Sequence, residues 1–279
     1  MKKLPVTVSL ACLVFSVNLN AFPVSLDIGT FAIDDYFSNG GGMNNLGYMI
    51  ASGQNFYWSA ANNVPGYSSA AASAGTGTAA PTLALDARNT DVTKAAITST
   101  SSAYKNREYC DFVFYGGHGL NGSIYLGAGA PPFGQVDPNQ FNLGAGYNRW
   151  FLTNSCSLFN SGAPATTWQP AFKGLKAMLA YKSFVFDNSL SWELYNNFWS
   201  AWTYGEKSLL TAFFDANVNY GYKHLYPSKG LQPGCLSAQL PSNRVDHCRE
   251  LFKFVTHDYA AATANTGFYY SKVIGAPQY

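Results

Sequence analysis

Three stretches of the chain are apolar without alternation. Asp111-Phe112-Val113-Phe114-Tyr115 stops at Gly116-Gly117-His118-Gly119, and Arg149-Trp150-Phe151-Leu152-Thr153 stops at Asn154-Ser155-Cys156. Leu175 to Tyr181, with Ala177, Met178, Leu179 and Ala180, makes the third. A strand with one wet face alternates apolar and polar residues. Runs without that alternation predict strands covered on both faces, as in a parallel sheet flanked by helices. Helical spacing follows: Leu190, Leu194, Phe198 and Trp202 share one side of a helix over 190–204, and Leu209, Ala212, Phe213 and Ala216 share one side over 208–220. Upstream the pattern is less regular. Residues 27–42, rich in Asp, Asn and Gly, read as loop, Asn44 to Ser52 as a short helix, and Phe56-Tyr57-Trp58-Ser59 as a short strand. Residues 66–81, rich in Ala, Ser, Gly and Thr, read as a surface connection. The expected class is α/β.

Composition narrows the partners. The chain has 279 residues, 47% hydrophobic and 16% aromatic, which is enough to bury a core and excludes disorder over most of the length. The formal charge of +2 comes from Lys2 and Lys3, and no Lys/Arg stripe exists elsewhere, so nucleic acid is not expected as a partner. Residues 1–21 have a positive start, an apolar run from Leu4 to Val17 and a polar stretch ending at Ala21, the form of a secretory signal cut near Ala21. That run is too short to span a bilayer, so the expectation is an exported chain, periplasmic or secreted, without stable membrane insertion. Residues 22–279 are then expected to form one α/β domain. Aromatic richness also fits an outer-membrane barrel, but such a barrel needs alternating strands throughout, which the runs around His118 and Cys156 contradict.

Gly117-His118-Gly119-Leu120-Asn121-Gly122 matches the dinucleotide pattern G-x-G-x-x-G, yet Ser123 to Gly127 leads into Ala130-Pro131-Pro132, which cannot start a crossover helix. No cofactor is expected. His247, Cys248, His257 and Asp246 match no usual zinc spacing, so no metal is expected either. What remains is a pairing: one buried strand ends in His118 between glycines and the next ends in Cys156. In an open parallel sheet both carboxyl ends lie on one edge, where ligands bind. The signal segment removes Cys12, leaving four cysteines. Cys235 and Cys248 are close in sequence between turn residues and are expected to form a disulfide. Cys110 precedes its strand and Cys156 follows the neighbouring one, which separates them by roughly 17–20 Å in parallel register. A disulfide needs Cα atoms within about 7 Å, so Cys156 should stay a free thiol.

The His-Gly block after one apolar strand and the Ser-Cys block after another resemble the clan CD cysteine peptidases of the caspase, legumain and gingipain fold. The likeness runs over about Asn44 to Tyr220 and includes Gly174 to Tyr181, Asp187, Phe198-Trp199 and Gly205-Glu206-Lys207-Ser208. It is also similar to a family of exported bacterial proteins that carry Y-x-G-H-G followed by a Trp strand with Ser-Cys. The resemblance implies a caspase-like three-layer sandwich with a mostly parallel central sheet flanked by helices. It implies an endopeptidase acting on a peptide or protein substrate, with Cys156 as nucleophile and His118 as general acid/base. The N–H groups of Gly119 and Cys156 would be oxyanion donors. Asn154 and Ser155, bulkier and more polar than the residues usual before the nucleophile, are pocket candidates. Asp187 either reaches the pocket and favours a basic side chain there or is a solvated turn residue. The competing class is a secreted binding or adhesion module that has kept the scaffold without the chemistry. An active enzyme is expected to hold the Cys156 thiol below the ordinary pKa.

Overall fold

The computed structural model describes residues 24–36, 43–73, 79–100, 107–126, 134–160, 164–182, 185, 187–204, 207, 209–224, 233–237 and 269–272. The expected signal segment, and His247, Cys248 and His257, lie outside the described residues. Among the described residues the main sheet contains β1 (Val24–Ala32), β2 (Ala79–Arg88), β3 (Phe112–Gly116), β7 (Trp150–Asn154), β8 (Ala177–Tyr181), β9 (Pro233–Ser237) and β10 (Tyr269–Lys272). Their order is β10-β9-β8-β7-β3-β1-β2. The five strands from β2 to β8 are parallel, whereas β9 is antiparallel to β8 and β10 to β9. A small antiparallel sheet holds β4 (Gly119–Leu120), β5 (Ser123–Tyr125) and β6 (Gln135–Val136).

The three unalternated runs become β3, β7 and β8, each buried along its whole length. Successive side chains point to opposite faces. Phe112, Phe114, Trp150, Leu152, Leu179 and Tyr181 therefore enter one core while Val113, Tyr115, Phe151 and Met178 enter the other. Helices α1 (Met49–Ser73), α4 (Ser191–Thr203) and α5 (Leu209–His224) cover the first face. The second is covered by the small sheet with α2 (Lys94–Thr98) and α3 (Pro164–Trp168). This is the expected α/β class: a mostly parallel sheet between covering layers. Both cores hold aromatic residues, and the helical side holds more of them. The Phe56 ring has Phe112, Phe114, Tyr195, Phe198 and Trp199 at centroid distances of 5.1–6.3 Å.

Three local expectations need correction. Residues 24–32, mostly expected as loop, form β1, because Thr30 Oγ1 donates to Asp86 at 2.8 Å and the Thr82 hydroxyl donates to Asp27, so polar residues are satisfied across the β1–β2 pair. The expected helix over 44–52 and strand over 56–59 are instead one helix, α1, which starts only at Met49. Phe56, Ala60 and Val64 form one buried stripe there, so packing overrides the strand preference of an aromatic run. The expected connection over 66–81 is partly the end of α1 and the start of β2. The residues after His118 form a hairpin and not a crossover helix, as expected once the dinucleotide pattern is set aside. Asn121 and Gly122 have φ of 51° and 92°, as a type I′ turn requires.

Candidate active site

Strands β3 and β7 pair in parallel up to Gly116 opposite Asn154. His118 and Cys156 each follow two residues later, so they leave neighbouring strands at the same level of the carboxyl edge. Contact between the two loops continues past the ladder. Gly117 N–H donates to the Asn154 carbonyl at 3.3 Å, and Gly122 N–H donates to the Ser157 carbonyl at 3.3 Å. At Gly119 a Cβ would lie 2.6 Å from the Cys156 carbonyl oxygen and would also strike Ser155 Oγ. Only glycine lets the histidine loop come this close to the cysteine loop. Ser157, directly after the cysteine, has φ of 54°, a left-handed value rare for serine, and lies in the sharp turn over 156–159.

The half-buried His118 is held at three points. Its backbone N–H donates to the Tyr36 hydroxyl at 2.8 Å, its ring tilts against the Tyr36 ring at 4.5 Å, and its Nε2 lies 2.7 Å from the Asn44 carbonyl. A carbonyl only accepts, so Nε2 carries the proton and Nδ1 is left as the basic nitrogen. Tyr36 and Tyr115 in turn both donate to the Tyr125 carbonyl, at 3.0 and 2.6 Å. Burial pushes both phenols above the ordinary tyrosine range, so they stay neutral donors. Tyr125 N–H donates to the His118 carbonyl at 3.1 Å. Hydrogen-bonded and open pairs alternate along an antiparallel ladder, so the N–H of Gly119, paired with Ile124, turns away from β5.

Cys156 is a half-buried free thiol. Its sulfur accepts from Val185 N–H at 3.2 Å and donates to the Val185 carbonyl at 3.5 Å. Burial raises the thiol pKa above the ordinary value, and the Val185 bond offsets this only in part. The direction is opposite to that expected of an active enzyme. The physical reason is that the sulfur is desolvated while its described hydrogen bonds are both to a neutral backbone. Cys110, just before β3, is also a free thiol, in agreement with the expectation that it does not bond to Cys156. Cys235 is buried in β9, whereas Cys248 lies outside the described residues.

The pocket candidates sit differently from one another. Asn154 and Ser155 are 3% and 1% exposed, and Asn154 Oδ1 and Ser155 Oγ have no hydrogen-bond partner among the described residues. They underlie the cysteine turn. The carboxylate of Asp187 accepts from the backbone N–H groups of Gly47 and Tyr48, the second at 2.9 Å. Sequence reasoning missed Tyr36, Asn44 and Val185. Two of these act through their backbone, for which side-chain patterns carry no signal, and Tyr36 lies in a stretch expected as loop.

The family described as a domain of unknown function, DUF6345, matches residues 43–226, and the chain belongs to that family. None of the curated proteins matches the sequence. Among solved structures the chain is similar to a secreted C11 cysteine protease from Bacteroides thetaiotaomicron in complex with an irreversible peptide inhibitor, with 9% identity and a TM-score of 0.45. The match covers 77% of this chain and 66% of that protein. Among the described residues no helix is long and apolar enough to cross a membrane.

Proposed function

We propose that the protein is an exported cysteine endopeptidase working through Cys156 and His118. The observation that supports this reading best is the meeting of the two strand-end loops, with Gly119 packed on the backbone of Cys156. In the resting site the thiol proton faces the Val185 carbonyl. Because burial keeps the thiol protonated, the reaction starts by transfer of that proton to His118 Nδ1 as the peptide binds. The sulfur then bonds to the scissile carbonyl carbon, and the N–H groups of Gly119 and Cys156 receive the oxyanion. The C–N bond breaks, and His118 gives its proton to the leaving amine. Water gives a proton to His118 and bonds to the acyl carbon, the C–S bond breaks, and His118 returns the proton to the Cys156 sulfur. The Asn44 carbonyl accepts from Nε2–H in the neutral and the protonated imidazole alike, which leaves Nδ1 to take and give the proton. Export rests on the form of residues 1–21, and one Cys235–Cys248 disulfide is part of the proposal.

The raised thiol favours a second reading, a secreted binding module on a peptidase scaffold that has lost its chemistry. Labelling with a panel of peptidyl acyloxymethyl ketones separates the two. The peptidase reading expects labelling of the wild type, loss in Cys156→Ala and slowing in His118→Ala. Labelling that persists in Cys156→Ala rejects the assigned nucleophile, and a wild type inert to the whole panel favours the binding module.

A further inference from the structure

The tautomer of His118 depends on one carbonyl, that of Asn44, and Asn44 is an exposed residue on an irregular segment ahead of α1. That segment is fixed from two directions. Asp34, just beyond β1, accepts Leu46 N–H on its carbonyl at 2.8 Å and the Met49 and Ile50 N–H groups on Oδ1 at 2.6 and 3.2 Å. The first N–H groups of a helix lack helical partners and favour a negative charge, so this is a long-range cap of α1. Asp187 reaches the same segment from the connection between β8 and α4 and takes the Gly47 and Tyr48 N–H groups. Burial and, to a smaller degree, the nearby charge of Asp187 raise the Asp34 pKa, so the second carboxylate works against the first. A cap alone would need only one.

We propose that Asp187 is a positioning residue that holds the Asn44 carbonyl on His118 and ties the imidazole side of the site to the thiol side. Val185, two residues before Asp187, binds the Cys156 sulfur through its backbone. One short piece of chain therefore meets the nucleophile through a peptide group and the support of the base through a carboxylate. Movement of Asp187 moves both partners together. With both its oxygens on backbone N–H groups, the carboxylate is oriented toward this segment rather than toward a substrate side chain. The inference rests on the peptidase reading for its kinetic consequence, but its structural content is measurable without any substrate.

The test uses the full chain labelled with 15N-histidine, with the His118 signals assigned by their loss in His118→Ala. The wild type should show the Nε2–H tautomer of His118 with a slowly exchanging proton. In Asp187→Ala that proton should exchange at least about tenfold faster, with a mixture of tautomers. The kcat on a substrate found from the labelling panel should fall about ten- to a hundredfold with KM within about twofold, as expected when reacting groups lose alignment. Asp187→Asn, which keeps one accepting oxygen, should fall between, and it carries the same readouts if Asp187→Ala does not fold. An unchanged Nε2–H signal in the variants overturns the inference whatever the enzyme does. So does a rise in KM confined to substrates with basic residues while kcat and the Nε2–H signal stay unchanged, which would make Asp187 a pocket residue. A shifted His118 signal in a protein with no peptidase activity supports the positioning role and rejects the peptidase reading.

Discussion

The two edges of the parallel sheet each carry a free thiol, and they differ in what surrounds the sulfur. At the amino edge Cys110 is 0% exposed, with its sulfur against the backbone of Gly29. Burial first, then the nearby charges of Asp27, Asp111 and Glu108, push its pKa far up. At the carboxyl edge Cys156 is half-exposed, has a backbone N–H aimed at its sulfur, and shares its level with a histidine of defined tautomer. Both thiols are protonated at rest, so protonation state does not separate a structural cysteine from a candidate nucleophile. Access and an available base do.

The largest expected effect breaks the comparison at its centre. Cys156→Ala should lower peptide turnover or probe labelling by about a thousandfold or more, the scale of losing a covalent nucleophile. Cys110→Ala should leave both unchanged per folded molecule. If Cys110→Ala abolishes labelling instead, the edges have been assigned the wrong way round.

Glycines adjoin both thiols and give the next effect. A methyl group at Gly119 meets the Cys156 carbonyl at 2.6 Å, and one at Gly29 meets Cys110 Sγ at 2.7 Å. Gly119→Ala must displace the cysteine turn, so the rate of thiol labelling should fall about a hundredfold while the chain stays folded. Gly29→Ala should cost about 1–3 kcal/mol of stability by overpacking and leave the labelling rate of folded protein alone. Combining Gly29→Ala with Cys110→Ala removes the sulfur it strikes, so the double variant should be more stable than the sum of the two single effects. Urea unfolding and labelling kinetics of the four variants check this, and strict additivity would show that the clash is relieved elsewhere.

The edges also differ in how much of them the sequence reveals. The central strands were legible because Phe112 to Tyr115 and Trp150 to Leu152 are buried on both faces, and burial on both faces leaves no polar position to confuse with a loop. His118 and Cys156 were legible as the residues that end those runs. β1 was not, since Asp27 and Thr30 look like loop residues until Thr82 and Asp86 are placed beside them. Nor were the supports of the site. Asn44 and Val185 act through carbonyl and amide groups that every residue has, and Asp34 caps a helix that starts 15 residues further on. Such contacts depend on three-dimensional placement and leave no local periodicity.

The pH response sharpens the contrast by a smaller amount. Because burial raises the Cys156 pKa, alkylation of the wild type by a small reagent should speed up about tenfold per pH unit through neutral and mildly alkaline pH, without the early plateau of a preformed thiolate. Cys110 should stay unmodified in the same samples until the chain unfolds, as peptide mapping would show. A plateau already reached at pH 6 would mean that His118 and Cys156 form an ion pair at rest, and the proton transfer proposed on substrate binding would be unnecessary.

The smallest effect belongs to the amino edge alone. Folded Cys110 keeps its proton to a higher pH than the unfolded chain, whose thiol has the ordinary value of 9.0. Below that value both states hold the proton and the contribution to stability is complete. Above it, unfolding releases a proton that folding retains, so stability falls as pH rises, with a slope approaching about 1.4 kcal/mol per pH unit. Cys156 contributes in the same direction but less, being less buried. The informative window lies between pH 9 and 10, because above it the buried tyrosines, with an ordinary value of 10.0, add their own decline. Urea unfolding at several pH values should show a flatter alkaline decline for Cys110→Ala than for the wild type, even though the variant is less stable at pH 7 through the cavity it leaves. Equal slopes would mean that the Cys110 sulfur reaches water in the folded chain, and the distinction between a sealed thiol and an accessible one would then have to rest on the histidine alone.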